Sequence, residues 1–217
     1  MVFLKGLSRT GNLMRASIVG LPVSLGKKFG ASGDVVNVLI IYGTTEGQTR
    51  KIAEWTARHV RESGHVVELR DSAVLASGSG LETFDAFIIA ASVHQACHQD
   101  TITNFATAHH KLLNTKPSAF ISVSLSAVLE EGGREAQKYV DGFVSVTGWL
   151  PSMTLLLGGA LRFTEYDYFQ EQIVKFVVMK RGGAARTARD REFTDWNALT
   201  GFVDGFVETA VYRDERE

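Results

Sequence analysis

Apolar positions along the chain fall into two rhythms that alternate. Val35 to Tyr42 is a short, β-branched apolar run, too short for a helix and suited to a strand buried on both faces. Gly47 to Ser63 changes period, with Ile52, Ala53, Thr56 and Val60 at helical spacing. The same alternation continues downstream. His65 to Arg70 and Phe84 to Ala91 read as strands, and a helix around Thr101 to Asn114 turns Ile102, Phe105, Ala106, His109 and Leu113 inward. Ser118 to Ser124 is a strand, followed by a helix around Glu131 to Thr147 with Ala136, Val140, Phe143, Val144 and Thr147 inward. Thr154 to Leu161 is the fifth strand. A last helix begins near Asp195, capped by Thr194 or Asp195, with Trp196, Leu199, Val203, Phe206 and Ala210 facing the core. Five strands with intervening helices predict an α/β, doubly wound parallel sheet whose ligand lies at the carboxyl ends of the strands.

The turn between the first strand and the first helix has its own chemistry. Thr44-Thr-Glu-Gly-Gln-Thr49 offers backbone N–H groups, the positive end of a helix dipole and the hydroxyls of Thr44, Thr45 and Thr49, which together favour an anion such as a phosphate. It matches neither the Gly-x-Gly-x-x-Gly dinucleotide fingerprint nor the NTPase loop with its lysine. Gly78-Ser-Gly80 precedes a strand and is an ordinary turn. The Thr-x-x-Gly-x-Thr pattern resembles the FMN-phosphate loop of the flavodoxin superfamily, which implies a flavodoxin-like sheet.

At 217 residues, 45% hydrophobic and 22% charged, the chain has enough apolar content for one substantial core without a second domain. A net charge of −1 points away from nucleic acid, a single cysteine excludes an internal disulfide, and no apolar run reaches the roughly 18 residues of a membrane span. Residues 1–33 stand apart: Lys5, Arg9, Arg15, Lys27 and Lys28 with four serines and no acid before Asp34. That composition predicts a mitochondrial transit peptide over 1–34, with a disordered extension or a basic arm docking on a membrane or partner as alternatives. The domain proper is expected over 35–212, with a charged tail over 213–217.

After the third strand runs Ala90-Ala-Ser-Val-His-Gln-Ala-Cys-His98, and after the fourth Ser122-Val-Ser-Leu-Ser-Ala127. In a flavodoxin-like sheet these loops would flank the isoalloxazine ring, with Ser92, Ser124 and Ser126 adding hydroxyls. His94, Cys97 and His98 are ligand types within five residues, yet no fourth ligand at suitable spacing accompanies them, and no metal is expected.

Several motifs together carry a closer resemblance: Gly47-Gln-Thr-Arg50, Lys116-Pro-Ser-Ala-Phe120, the Gly-Ala-Leu-Arg-Phe run at 159–163, Met179-Lys-Arg-Gly-Gly183 and Thr194-Asp-Trp196. Over about residues 36 to 210 the chain resembles the flavodoxin-like, quinone-dependent protoporphyrinogen IX dehydrogenases. The resemblance implies FMN as cofactor, oxidation of protoporphyrinogen IX to protoporphyrin IX in haem biosynthesis, and a respiratory quinone as acceptor. It implies that Thr44, Thr45, Glu46, Gly47, Gln48 and Thr49 surround the FMN phosphate, and that Ser92, Val93, His94, Ser124, Leu125 and Ser126 approach the ring. Where that family carries an Arg-Tyr pair, this chain has His94-Gln95, and no acid or base stands out. An inserted segment over about 162–193 contains a candidate amphipathic helix, 165–180, with Tyr166, Phe169, Ile173, Phe176 and Val177 on one stripe and a basic flank. Such a helix can lie in a membrane interface, pack on the sheet edge or meet a partner subunit, and Arg162 and Arg181 are candidates for the substrate's propionates. The alternatives are a flavodoxin-like electron carrier or quinone reductase, and a non-catalytic subunit of a membrane complex that keeps the fold.

Overall fold

The computed structural model describes residues 18–19, 35–74, 80–129, 132–161 and 191–214. In chain order the elements are β1 (Ile18–Val19), β2 (Asn37–Gly43), α1 (Gln48–Glu62), β3 (Val66–Asp71), β4 (Ala86–His94), β5 (Cys97–His98), α2 (Asp100–Thr115), β6 (Ser118–Ser124), α3 (Gly133–Thr147), β7 (Met153–Gly158), β8 (Ala160–Leu161), β9 (Arg191–Glu192) and α4 (Trp196–Asp214). Five parallel strands lie side by side in the order β3-β2-β4-β6-β7. Numbered by their own sequence this is 2-1-3-4-5, the doubly wound order in which the chain reverses direction between β2 and β4. Ile18–Val19 pairs antiparallel with the outer edge of β7, through Ile18↔Leu155 and Val19↔Thr154.

The pleat of β2 divides the core. Val38, Ile40 and Tyr42 face α1 and α4, meeting Ile52, Ala53 and Val60 from the one and Leu199, Phe202, Val203 and Phe206 from the other. Leu39 and Ile41 face the opposite layer, where Phe87, Ile89 and Phe120 pack with Ile102 and Phe105 of α2 and with Val140 and Phe143 of α3. Both faces of the central strands are thereby covered, which explains why their sequences are continuous apolar runs rather than alternations. The inward stripes expected for the helices hold. The exceptions are Trp196 and Val144, which are half-buried, and His109, whose ring packs on Phe105 at a centroid distance of 4.7 Å.

Two boundaries differ from the sequence expectation, and at a third the structure decides between the two caps expected. The third strand runs on to His94 and folds back through Gln95–Ala96 to β5, pairing Val93↔His98 and His94↔Cys97. Both turn residues have positive φ, 49° and 63°, as a two-residue hairpin loop demands, without the Asn or Gly that would announce it. The fifth strand stops at Gly158 instead of reaching Leu161, because the chain returning from residue 191 crosses there. A Cβ on Gly158 would stand 2.5 Å from the Phe193 carbonyl oxygen, and the Phe193 N–H donates to Gly159 O at 2.9 Å. The last helix is capped by Asp195, whose Oδ1 accepts from the Ala198 N–H at 3.0 Å, while Thr194 turns to Gly158.

Trp149 closes the α2–α3 layer. It is fully buried, its Nε1–H donates to Ser118 Oγ at 2.9 Å, and it meets the Phe120 and Phe143 rings edge-on. Trp149→Ala is expected to lower unfolding stability by about 3–5 kcal/mol, read by denaturant titration. A loss below about 1 kcal/mol would contradict the packing described.

Candidate functional site

The β2–α1 turn is a helix start without a cap of its own. Gly47, at the N-cap position of α1, has φ +86°, and nothing lies within 4 Å of where a Cβ would stand. Its left-handed backbone, rather than crowding, therefore selects glycine. Among the described residues no side chain caps α1, and no acidic residue occupies its first turn, so the N–H groups there have no intrahelical acceptor. The loop spends one donor internally: the Gly47 N–H donates to Thr44 Oγ1 at 2.9 Å, which leaves the Thr44 hydroxyl hydrogen free to point elsewhere. Thr49 Oγ1 is buried and has no hydrogen-bond partner among the described residues. A buried hydroxyl left unsatisfied costs about 1–3 kcal/mol, and an anion seated on this turn would remove that cost.

Just before the turn, Gly43 marks where β2 passes closest to its neighbours. An added Cβ would meet Ile102 Cγ1 at 2.6 Å and Gln99 Oε1 at 3.1 Å. Arg50, although in the first turn of α1, does not face the anion position. It pairs with Asp71 at 3.0 Å and lies over the Tyr42 ring. Burial raises the Asp71 pKa, but hydrogen bonds from the Ala73 N–H, Arg50 and Tyr42 outweigh it and hold the carboxyl below its ordinary value.

Beyond the turn a cleft of about 650 Å³, open to solvent, runs across the ends of β2, β4, β6 and β7. Thr44, Glu46, Gln48, Thr49, Ser92, Val93, His94, Ser124, Leu125 and Ser126 line it, so segments remote in sequence converge as expected. Thr45 and Gly47 support the loop from outside the lining. The Ser124–Ser126 turn is fixed locally, with Ser124 Oγ accepting from the Ala127 N–H at 3.2 Å. Ala96, Val123, Tyr139, Gly159 and Ala160 also line the cleft and were not foreseen. Of these, only Tyr139 carries a readable signal: it lies one turn before Phe143 on the flank of the α3 stripe, near the end of β6. Its hydroxyl donates to Glu135 Oε1 at 2.8 Å.

The far wall is tied to the β2–α1 turn. The Gln48 Nε2–H donates to Thr194 Oγ1 at 2.9 Å, and the Thr194 hydroxyl donates to Gly158 O at 2.9 Å. Lys51 pairs with Glu192 at 2.5 Å, and Trp196 Nε1–H donates to the same carboxylate at 2.8 Å. Burial raises the Glu192 pKa, yet these bonds pull it below the ordinary carboxylate range. Thus β8 and β9, where the inserted segment leaves and rejoins the domain, stand beside the cleft. Arg162, Arg181 and the candidate helix 165–180 lie outside the described residues, as do residues 1–17 and 20–34.

The three metal-ligand types in the β4–β5 hairpin do not converge. His94 Nδ1 faces Glu46 Oε1 at 4.0 Å and Cys97 is exposed. His98 is buried between Phe120 and Phe143, with Nε2 sharing a hydrogen bond with Ser122 Oγ at 2.9 Å. Among the described residues no three His, Cys, Asp or Glu side chains form a metal-binding group.

A family model described as "Flavodoxin domain" matches residues 39–188. A protein of Leishmania major named protoporphyrinogen IX dehydrogenase (quinone) is 28% identical over 174 residues, covering 78% of this chain and 74% of that one. The protein of the same name from Escherichia coli (strain K12) is 28% identical over 169 residues, covering 77% of this chain and 93% of the relative. Among solved structures, a short-chain flavodoxin associated with a non-canonical PDU bacterial microcompartment aligns with a TM-score of 0.49 at 12% identity, covering 81% of this chain and 99% of that one.

Burial pushes His98 down from 6.5 to about 4, so the folded protein keeps it neutral while the unfolded chain takes up a proton below 6.5. Stability is therefore fully present above that pH and falls as the pH drops toward about 4, by about 3 kcal/mol from this residue. Burial also lowers His65, which adds a slope of the same sign. His98→Phe keeps the aromatic packing and is expected to flatten the fall in stability between these two pH values, measured by denaturant titration across pH. An unchanged slope would contradict a buried neutral His98.

Proposed function

The chain belongs to the flavodoxin domain family, and on that footing we propose that it is an FMN-dependent oxidoreductase that oxidises protoporphyrinogen IX and delivers the electrons to a quinone. The flavodoxin-domain assignment indicates FMN as cofactor, and the residues present fit it. The observation that carries the fit is the start of α1: a helix with no side-chain cap, no acid in its first turn and a buried, unpartnered Thr49 hydroxyl, opening into a cleft at the reversal point of the sheet. Support for the substrate and acceptor comes from the names of the two relatives, each 28% identical over more than three quarters of this chain.

When bound, FMN supplies successive two-electron transfers from a reduced porphyrinogen and onward to a quinone. The chain's own residues bind and orient. Thr44, Thr45 and Thr49, with the N–H groups at the start of α1, hold the phosphate. Ser92 to His94 on one side and Ser124 to Ser126 on the other offer backbone and hydroxyl groups to the polar edge of the ring, while Val93, Val123 and Leu125 supply apolar walls that exclude water. Tyr139 faces the cleft from α3 with its hydroxyl directed by Glu135.

The membrane is part of the proposal. Residues 1–33, basic and free of acids, support mitochondrial targeting, and the apolar stripe and basic flank over 165–181 support contact with an inner-membrane surface or membrane-complex partner, where both a quinone and a porphyrinogen partition. Arg162 and Arg181 are the proposed partners of the propionates. No helix among the described residues is long and apolar enough to cross a membrane.

The protein purified without added flavin is expected to show a stoichiometric FMN absorption band. Anaerobic protoporphyrinogen should bleach it, and a para-quinone should restore it as porphyrin fluorescence appears. A bleachable band unaffected by porphyrinogen would replace the enzyme reading with that of an electron carrier, and a protein that binds no FMN would overturn the cofactor. Thr49→Val removes one hydroxyl aimed at a charged group and should weaken FMN binding roughly tenfold to a hundredfold, measured by fluorescence quenching. An unchanged dissociation constant would place the phosphate elsewhere.

A further inference from the structure

We propose that Gln99 is a positioning residue that couples the phosphate half of the cofactor site to the ring half. Its side-chain Nε2–H₂ donates to Thr45 Oγ1 at 3.2 Å and also to Ser92 Oγ. Thr45 belongs to the β2–α1 turn and Ser92 to the end of β4, so one amide spans the reversal point of the sheet. The inference rests on the flavin reading of the cleft and goes beyond it, since Gln99 does not line the cleft and acts only through its two hydroxyl partners.

Three features make the tie rigid. Gln99 occupies the N-cap position of α2, and its own carbonyl accepts from the Ile102 and Thr103 N–H groups at 3.1 and 3.0 Å, which fixes its backbone. Its side chain is seated against Gly43, where a Cβ would be 3.1 Å from Oε1 and 2.6 Å from Ile102, so neither the strand nor the helix has room to slide. The amide also carries a buried Oε1 with no hydrogen-bond partner among the described residues, a cost that packing alone would avoid with an apolar residue of the same length. A second, longer contact, His94 to Glu46 at 4.0 Å, crosses the same gap between the same two segments. Thr45 stands on the turn proposed to hold the phosphate and Ser92 lines the cleft, so the Gln99 amide that bonds both forms a linkage between the two segments. Seating a group on one loop orders Thr45, and through Gln99 it orders Ser92. By thermodynamic reciprocity the ring must favour the phosphate by the same factor.

The test separates the two halves of the ligand. Flavin-free full-length protein is titrated with riboflavin, which lacks the phosphate, with and without saturating inorganic phosphate. In the wild type, phosphate is expected to tighten riboflavin binding by about fivefold or more, at the lower end of measured site-to-site couplings. Gln99→Met, which keeps the length and packing of the side chain, should reduce that factor to about one while riboflavin still binds, and Gln99→Ala should do the same. A loss of packing alone would weaken riboflavin equally with and without phosphate, leaving the ratio intact. Circular dichroism of both variants identifies a failure to fold, in which case Gln99→Glu, which keeps the length and polarity of the side chain but has no N–H to donate to either hydroxyl, should lower the ratio toward one. A coupling factor unchanged in Gln99→Met, or absent from the wild type while FMN still binds, overturns the role of Gln99 alone. A wild type that binds neither FMN nor riboflavin overturns the flavin reading together with it.

Discussion

The site depends on how closely β2 approaches α2 at Gly43. No Cβ fits there, and that approach sets Gln99, Ile102 and Ser72 against the last residue of the strand just before the chain turns into α1. With the strand end immobilised, the loop from Thr44 to Gly47 has little freedom. Gly47 completes the turn in the left-handed conformation, and α1 starts with its unpaired N–H groups presented to the cleft. An anion seated there, as proposed, would need no lysine, because the field comes from backbone dipoles already fixed by the strand on one side and the helix on the other.

Around that point the cleft is held by side-chain ties between segments far apart in sequence. Gln48 reaches Thr194, and Thr194 reaches Gly158, joining the start of α1 to the end of β7 and to the approach to α4. Gln99 joins the turn to β4. The β2–α1 turn is therefore the hub from which both side walls are positioned. Behind the β4 wall, His98 stays neutral, pressed between two phenylalanines, so the hairpin rests on a packed aromatic layer rather than on charge. The β8–β9 pair stands beside Gly159 and Ala160, which line the cleft.

Much of this was legible in the sequence because it is written in local period and local turn chemistry. The strand-to-helix change at Gly43–Thr49, the inward stripes of α2 and α3, and the convergence of Ser92–His94 with Ser124–Ser126 at one end of the sheet all follow from spacing plus the doubly wound rule. What escaped depends on distant residues or on conformations that the residue types do not advertise. The β4–β5 hairpin turns on Gln95 and Ala96 at positive φ, where Asn or Gly would have signalled it. The break after Gly158 arises because Phe193 returns to that spot from 35 positions further on. Thr194 and Asp195 were equal as caps until Gly158 claimed the threonine. Gln99 looked like any polar residue before a helix, and only the fold brings it between Thr45 and Ser92.

A single bound FMN, as proposed, bridges the β2–α1 turn and the ends of β4 and β6. Backbone amide resonances recorded while FMN is added to the flavin-free protein test this bridging most directly. The account predicts large shifts at Thr45 to Thr49, at Ser92 to His94 and at Ser124 to Ser126, all saturating at one equivalent. Shifts confined to other surfaces, or a turn at Thr45 to Thr49 that stays silent while FMN binds, would contradict it.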